Sequence, residues 1–497
     1  MIRNTKQRAF SPYVALYDIL LAPDDMFRRM HDEVDYSFIY EELKNKYCKD
    51  NGRNAISPIY LFKCLILKTI SDLSDEDLMT EIKNNMAWKY FLDMNPEEMP
   101  PHPSTLCVFR RKRLVDDNLM DKLLNKTLKM AIESGIVLRS PDGRVRVNVI
   151  IDGTHIVSST GYHHPVPTLK EYTKKLRRLI YEYDSTMEGK LKSDKEYRES
   201  DLERELQYVG ELLLFFRSSY GELLKIDKFS RVYNRLSELL EDVRDHYSIS
   251  TTDPDARLGH KTADTEFFGY KTQIAMDEKS GLIIGAVSTS GEVNDALPGL
   301  DVLKAIVENE DIKVEEVLAD AAFSGQPYLE FATANDITMI SPSHPLLGRS
   351  IDGRDGFTFN KDADMFCCPQ GHLAISKRIA VHKNDNHRRS LIYSFDPNHC
   401  SICPRREQCI KGNAKNRTFS VSQLTKEQKD LLDRQKTQYF QERRRQRYKI
   451  EQKNAHLKQS YGMSQTKGKG LQMMTVQAAV AFFTHNIKLI LKEKAKK

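Results

Sequence analysis

Two aspartates and one glutamate stand where their neighbours could give them chemical work. Asp152 closes a β-branched run, Arg146-Val147-Asn148-Val149-Ile150-Ile151, and is followed by Gly153. Asp320 closes a second apolar run, Val314-Glu315-Glu316-Val317-Leu318-Ala319. Glu451 is an isolated acid in a very basic stretch from Arg443 to Lys453. Read as strands, the two runs bring each aspartate to a strand end, where ligands bind in α/β sheets. Read as a helix, the basic stretch sets Arg444, Arg447, Glu451, Ala455 and Lys458 on one face, because they are three and four residues apart. Converging carboxylates of this kind hold two divalent cations roughly 3.5–4 Å apart, one activating the attacking oxygen of a phosphodiester reaction and one stabilising the leaving oxygen. Oxygen ligands suit Mg²⁺ or Mn²⁺. The plainer readings stand beside this one. A strand-terminal Asp is commonly a turn or cap residue, and Glu451 would pair with Arg447 in the weaker helical orientation, contributing little if exposed.

The cysteines raise a second kind of chemistry. Eight in 497 residues are few for a disulfide scaffold. Cys48, Cys64 and Cys107 are scattered among apolar neighbours and read as core. Cys367, Cys368, Cys400, Cys403 and Cys409 are close together in sequence. Two thiolate turns separated by a hairpin are the arrangement of a structural zinc ribbon, with Cys368, Cys400, Cys403 and Cys409 as candidate ligands and Cys367 as the alternative. Reduced, unligated thiols in a surface insertion are the other reading. No His-Asp constellation accompanies them, so a nucleophilic cysteine is not expected; His372, His387 and His399 read as surface residues.

The elements that must position these groups follow from patterning. Residues 1–140 read as helical. Ser57-Pro58 caps an apolar helix from Ile59 to Ile70. Ser74-Asp75-Glu76-Asp77 starts another, its acids matched to the helix dipole. The chain restarts at Ser104 after Pro100-Pro101-His102-Pro103. A DNA-reading helix-turn-helix and an ordinary bundle share this pattern. Residues 141–345 read as a mixed sheet with flanking helices. It holds the first run, a hairpin of Phe267–Met276 and Leu282–Ser288 around Asp277–Gly281, a helix from Ala296 to Glu308, the run ending at Asp320, and a strand at Ile337–Ile340. A charged helical hairpin is inserted at about 166–250, with leucines at helical spacing (Leu202, Leu206, Leu212, Leu213). Residues 346–420 form the cysteine-rich β insertion, and 421–497 are C-terminal helices.

Composition bounds the rest. A net charge of +6 and a pI near 8.6 do not by themselves imply nucleic-acid binding, but the basic excess concentrates after residue 400. Met1–Lys6 is polar and no signal peptide, and the apolar run Val476–Phe483 is too short to span a bilayer. A soluble cytoplasmic protein with no membrane partner is expected.

Taken together, Asp152-Gly153-Thr154, Gly269-Tyr270-Lys271, Ala319-Asp320-Ala321 and Arg447…Glu451…Lys458 resemble the DDE transposases of bacterial insertion sequences. Gly52-Arg53, Ser57-Pro58, Leu73-Ser74-Asp75-Glu76-Asp77-Leu78 and Pro103-Ser104-Thr105-Leu106 before Phe109-Arg110 are similar to the helical domain preceding the catalytic core in one large subgroup. The resemblance implies a ribonuclease H-like α/β core completed by the C-terminal helices, preceded by an all-α domain. It implies a metal-binding triad of Asp152, Asp320 and Glu451 holding two Mg²⁺ or Mn²⁺ ions. DNA contacts would come from Arg447 and Lys458, with Arg444 standing where relatives carry tyrosine and Tyr448 one helical turn along. It implies cleavage at terminal inverted repeats and strand transfer into target DNA, by a homodimer in a transpososome associated with the nucleoid. Relatives often carry cysteines between the last strand and the Glu helix. A ribonuclease H-like nuclease without strand transfer and a non-catalytic DNA-binding derivative are the alternatives.

Overall fold

The computed structural model describes residues 11–48, 54–115, 118–161, 165–191, 202–246, 253–262, 264–343, 354–382 and 385–497. Gly52-Arg53 and the Met1–Lys6 start lie outside them. The chain divides into two compact units: the first holds Met1–Val145, Gly153–Asn309 and Ile450–Lys497, the second Arg146–Asp152 and Glu310–Lys449.

In chain order the helices before the first strand are α1 (Leu16–Leu20), α2 (Met26–Asp32), α3 (Ser37–Leu43), α4 (Pro58–Ser71), α5 (Asp75–Asn84), α6 (Met86–Phe91), α7 (Ser104–Lys112) and α8 (Leu119–Glu133). Strand β1 (Val145–Val157) leads to α9 (Pro165–Tyr183), α10 (Leu202–Tyr220) and α11 (Asp227–His246). Then come β2 (Arg257–Thr262), β3 (Thr265–Asp277), β4 (Ile283–Ser290), α12 (Ala296–Glu308), β5 (Ile312–Leu318), α13 (Gln326–Ala334) and β6 (Thr338–Ile340). The cysteine-bearing stretch contains β7 (Thr358–Asn360), β8 (Met365–Cys367), β9 (Ser376–His382), β10 (Asp385–Ser394), α14 (Pro397–Ser401), α15 (Arg406–Cys409) and β11 (Thr418–Gln423). The chain ends in α16 (Lys426–Gln435), α17 (Gln438–Arg445), α18 (Tyr448–Ser460) and α19 (Leu471–Lys494).

In the first unit the N-terminal helices and α19 share one hydrophobic core. Phe62, Ile66, Phe91 and Phe109 pack in it with Phe482, Phe483 and Ile487, and with Ile274 and Ile283 of the hairpin. The starts of α4 and α5 are local in origin. Proline occupies the first turn of α4, and Ser74 Oγ accepts from Asp77 N at 3.0 Å ahead of three acids in α5. By length and hydropathy α19 could cross a membrane, yet 78% of its most apolar window is buried inside the protein. The run Val476–Phe483 is thus part of a longer core helix. Asn486, fully buried, fixes it: its amide donates to Thr127 Oγ1 (2.9 Å) and the Ile283 carbonyl (2.8 Å), and its Oδ1 accepts from Ile283 N (3.0 Å). A buried amide so satisfied ties α19 to α8 and β4 in one register.

The hairpin β3–β4 pairs antiparallel from Tyr270↔Ser290 to Met276↔Ile283, while the start of β3 pairs with β2. At its turn Ser280 N and Oγ donate to Asp277 Oδ2 (2.8 and 2.6 Å), and Gly281 takes φ +72°. Gly269 is required by close approach, since a Cβ there would fall 2.1 Å from the Ile156 carbonyl oxygen. The insertion is a three-helix bundle with its own core, including Leu169, Leu176, Ile180, Val209, Phe216, Leu236 and Leu239. A hairpin was expected. The apolar spacing extends back through α9, which supplies the third helix.

In the second unit β1 neighbours β5, which pairs in parallel with β6 through Glu316↔Thr338, Val317↔Met339 and Leu318↔Ile340. The cysteine-bearing stretch is a β7–β8 hairpin and a β11–β10–β9 sheet around Phe357, Phe366, Tyr393, Phe395 and Phe419.

Two expectations about the site's scaffold are corrected. Asp152 lies within β1, because Gly153-Thr154-His155-Ile156-Val157 continues the strand. The basic helix is interrupted: α17 ends at Arg445, Gln446 and Arg447 form a turn, and α18 starts at Tyr448. Bonds from Arg447 N to Arg444 O (3.2 Å) and Lys449 N to Gln446 O (3.1 Å) span three residues, the tightened pattern of a helix end. Arg444 and Arg447 therefore do not share a helix face with Glu451.

Candidate active site

Within the second unit the structure brings Asp152 and Arg447 together. Arg447 Nη2 lies 3.3 Å from Asp152 Oδ1, with the side chains 23% and 17% exposed. The strand fixes the carboxylate and the turn after α17 delivers the guanidinium. A second grip, which sequence reading missed, holds α17 itself. Glu316 on β5 receives Arg443 Nε and Nη2, each 2.7 Å from Oε2, and its Oε1 accepts the Tyr439 hydroxyl. Hydrogen bonding to Glu316 raises the Tyr439 phenol's pKa, with burial adding to it. The i, i+4 spacing of Tyr439 and Arg443 was the available signal. Nothing local in the sequence pointed to Glu316 as their partner.

Asp320 follows β5. Its Oδ1 accepts from Ala322 N at 2.8 Å and opens a short 3₁₀ turn, Ala321–Ser324. The cap reading of this residue therefore holds. A cap uses one oxygen of a carboxylate that can offer several acceptor sites.

Cys368, Cys400, Cys403 and Cys409 line one small cavity in this unit, with Arg405, Arg406 and Arg417. Burial pushes the Cys409 thiol's pKa up, with neighbouring Arg417 opposing and Cys400, Cys403 and Cys368 adding to the rise. Gly371, at φ +82°, closes the turn after Cys368, donating to its carbonyl at 2.8 Å. His372 and His399 are exposed and stack at 4.3 Å; the His387 side chain lies outside the described residues.

In the first unit Glu451 is exposed in the first turn of α18. One residue beyond Asp152, a Cβ on Gly153 would fall 2.9 Å from the Gln273 side-chain amide, so any side chain there requires Gln273 to shift. Lys458 Nζ lies 3.4 Å from both ring nitrogens of His155. Burial, then Lys458 and Lys261, push the His155 pKa down to about 4, so the ring is neutral at pH 7. Sequence reading missed His155. Asp253, fully buried, accepts from Ser158 Oγ (2.6 Å), Gly470 N (2.7 Å) and the Tyr270 hydroxyl, joining the end of β1, β3 and the start of α19.

Among the described residues no three His, Cys, Asp or Glu form a group that could hold a metal ion. The donor chemistry nevertheless suits a hard cation at Asp152, where a guanidinium already stands against the carboxylate. Mg²⁺ takes only one or two carboxylates and completes its shell with water and phosphate, so a preformed three-ligand cage is not required. For zinc, the four thiols share one cavity.

Residues 15–112 match the family described as Transposase domain (DUF772), and residues 367–491 match the Transposase DDE domain. The second match includes the cysteine cluster, α17 and Glu451. Among solved structures the chain is similar to a piggyBac transposase synaptic complex with hairpin DNA. The identity is 10%, over 79% of this chain and 75% of that one, and the TM-score of 0.24 is too low to argue a shared fold. No curated protein matches the chain.

Proposed function

We propose that the chain is a DDE transposase, which its two transposase-domain matches support, and that it cuts DNA at the ends of an insertion sequence and joins them to target DNA. Asp152, Asp320 and Glu451 are the metal-binding carboxylates of this reading. The observation that carries it is the DDE-domain match over residues 367–491, which contains Glu451. Divalent cations, Mg²⁺ or Mn²⁺, would supply an activated oxygen nucleophile and neutralise charge on the leaving oxygen. Asp152 offers its carboxylate from a rigid strand, and Asp320 from a capped turn that holds its rotamer. Hydrolysis frees a 3′-hydroxyl, and attack by that hydroxyl on target DNA is the same in-line displacement, so one carboxylate set serves both. Arg444 and Tyr448, both exposed, with Arg447 and Lys458, are the proposed DNA contacts. The core is proposed to be ribonuclease H-like, and a structural zinc to sit among Cys368, Cys400, Cys403 and Cys409. Two ends must be handled together, so a homodimer on DNA is part of the proposal, acting in the cytoplasm at the nucleoid.

A non-catalytic DNA-binding derivative is the second reading, because Asp152 is already neutralised by Arg447. Cleavage and joining of DNA bearing the inverted repeats that flank the gene separates the two. Asp152→Asn, Asp320→Asn and Glu451→Gln should each abolish Mg²⁺-dependent cleavage with DNA binding retained. Wild-type cleavage by any of them removes that residue from the site. Cleavage without joining of pre-cut ends would leave a nuclease.

A further inference from the structure

We propose that Arg447 is an exchangeable counter-cation of Asp152, holding the carboxylate before a divalent metal arrives and yielding it when one binds. The proposal rests on the reading of Asp152 as a metal ligand. Both side chains are largely withdrawn from solvent, at 23% and 17% exposure, where a lone carboxylate is costly and a partner cation offsets the cost. The two arginine grips of this unit differ in tightness. Arg443 places two nitrogens 2.7 Å from Glu316, whereas Arg447 Nη2 stands 3.3 Å from Asp152 Oδ1. At that longer separation the Arg447–Asp152 pair is weaker than a charge-assisted bond at about 2.7–2.9 Å and more open to a competing cation.

Position favours exchange without loss of fold. Arg447 lies in the turn after α17, so its side chain can swing without unwinding a helical turn. Arg443 and Tyr439, anchored on Glu316, keep α17 on β5 meanwhile. A divalent cation and a guanidinium on one carboxylate repel each other, so metal binding should expel Arg447. The released guanidinium is planar and always charged, and it matches two phosphate oxygens. The same residue would thus guard the carboxylate in the resting protein and receive DNA phosphate in the loaded one.

The test is Mn²⁺ binding to the full chain without DNA, read by electron paramagnetic resonance of free Mn²⁺. Arg447→Ala should bind Mn²⁺ about five-fold more tightly, the scale expected when a weak competing ion pair is removed. Arg447→Lys keeps a cation and should remain near wild type. A second readout needs no substitution: Mn²⁺ should increase phenylglyoxal modification of Arg447, mapped by mass spectrometry, and leave Arg443 unchanged. Unaltered Mn²⁺ affinity in a folded Arg447→Ala, or Arg447 modification indifferent to Mn²⁺, overturns the exchange while Asp152→Asn still weakens Mn²⁺ binding. If Asp152→Asn binds Mn²⁺ like wild type, the metal-ligand reading of Asp152 falls, and the exchange with it.

Discussion

Arg443 grips Glu316 with Nε and Nη2, both 2.7 Å from one carboxylate oxygen, across 127 residues of sequence. The side chains are only 18% and 12% exposed. Removing one partner strands the other charge in a poorly solvated place, which costs roughly 3–5 kcal/mol. Glu316→Ala should therefore lower the urea midpoint substantially. The double variant Glu316→Ala/Arg443→Met should recover most of the loss, because no buried charge is left over. Additive losses in the double variant would show that the pair is not the source.

His155 gives a signed pH dependence. Its folded pKa is pushed down to about 4 by burial, Lys458 and Lys261, while an unfolded histidine titrates near 6.5. As pH falls below about 6.5 the unfolded chain takes up the proton first. The contribution of this residue is thus complete above about pH 6.5 and is lost as pH falls toward 4. Thermal unfolding should show a shallower acid limb in His155→Gln across that window. Lys458→Met should move the ring's titration back up, followed by NMR. A wild-type His155 titrating near 6.5 would contradict the account.

Asn486 tests how α19 is held. Asn486→Leu has similar volume and suits a core helix by composition. It leaves the Ile283 N–H and carbonyl and the Thr127 hydroxyl without their present partner. Each buried polar group stranded costs about 1–3 kcal/mol. The variant should melt well below wild type, whereas Asn486→Gln should lose less if it can still reach Ile283. Equal melting of Asn486→Leu and wild type would mean that apolar packing alone sets the helix.

These cases mark where the sequence is readable. The Ser74 cap and the Asp277–Gly281 turn are legible because donor and acceptor lie within a few residues. The carboxylates Asp152 and Asp320 are legible by type, as acids closing apolar runs. The continuation of β1 past Asp152 was missed because Gly153 resembles a turn residue, whereas it makes room for the Gln273 side chain. The break at Gln446-Arg447 was invisible because neither glycine nor proline marks it. Glu316, His155 and Asp253 acquire their meaning only from partners far along the chain, and charge patterning cannot pair residues at such separations.

The cysteine cavity makes a compositional prediction. If Cys368, Cys400, Cys403 and Cys409 bind zinc, the full chain should carry one equivalent by elemental analysis. Cys400→Ser and Cys403→Ser should each lose it and lower the stability of the β9–β11 region. Metal-free protein with four freely alkylated thiols and unchanged melting would restore the reading of unligated cysteines.

Arg444 and Tyr448 separate charge from ring chemistry on the proposed DNA face. Both are exposed, Tyr448 at 50%. A guanidinium on phosphate releases counterions, so Arg444→Ala should weaken binding for every DNA sequence and reduce the slope of log K against log salt by about 0.9. A phenol ring carries no charge at neutral pH, so Tyr448→Ala should weaken binding with the slope unchanged, and more on single-stranded ends where bases can stack. If Arg444→Ala left the slope intact, the arginine would not be on phosphate. If Tyr448→Ala changed neither affinity nor end preference, Tyr448 would not be a DNA contact.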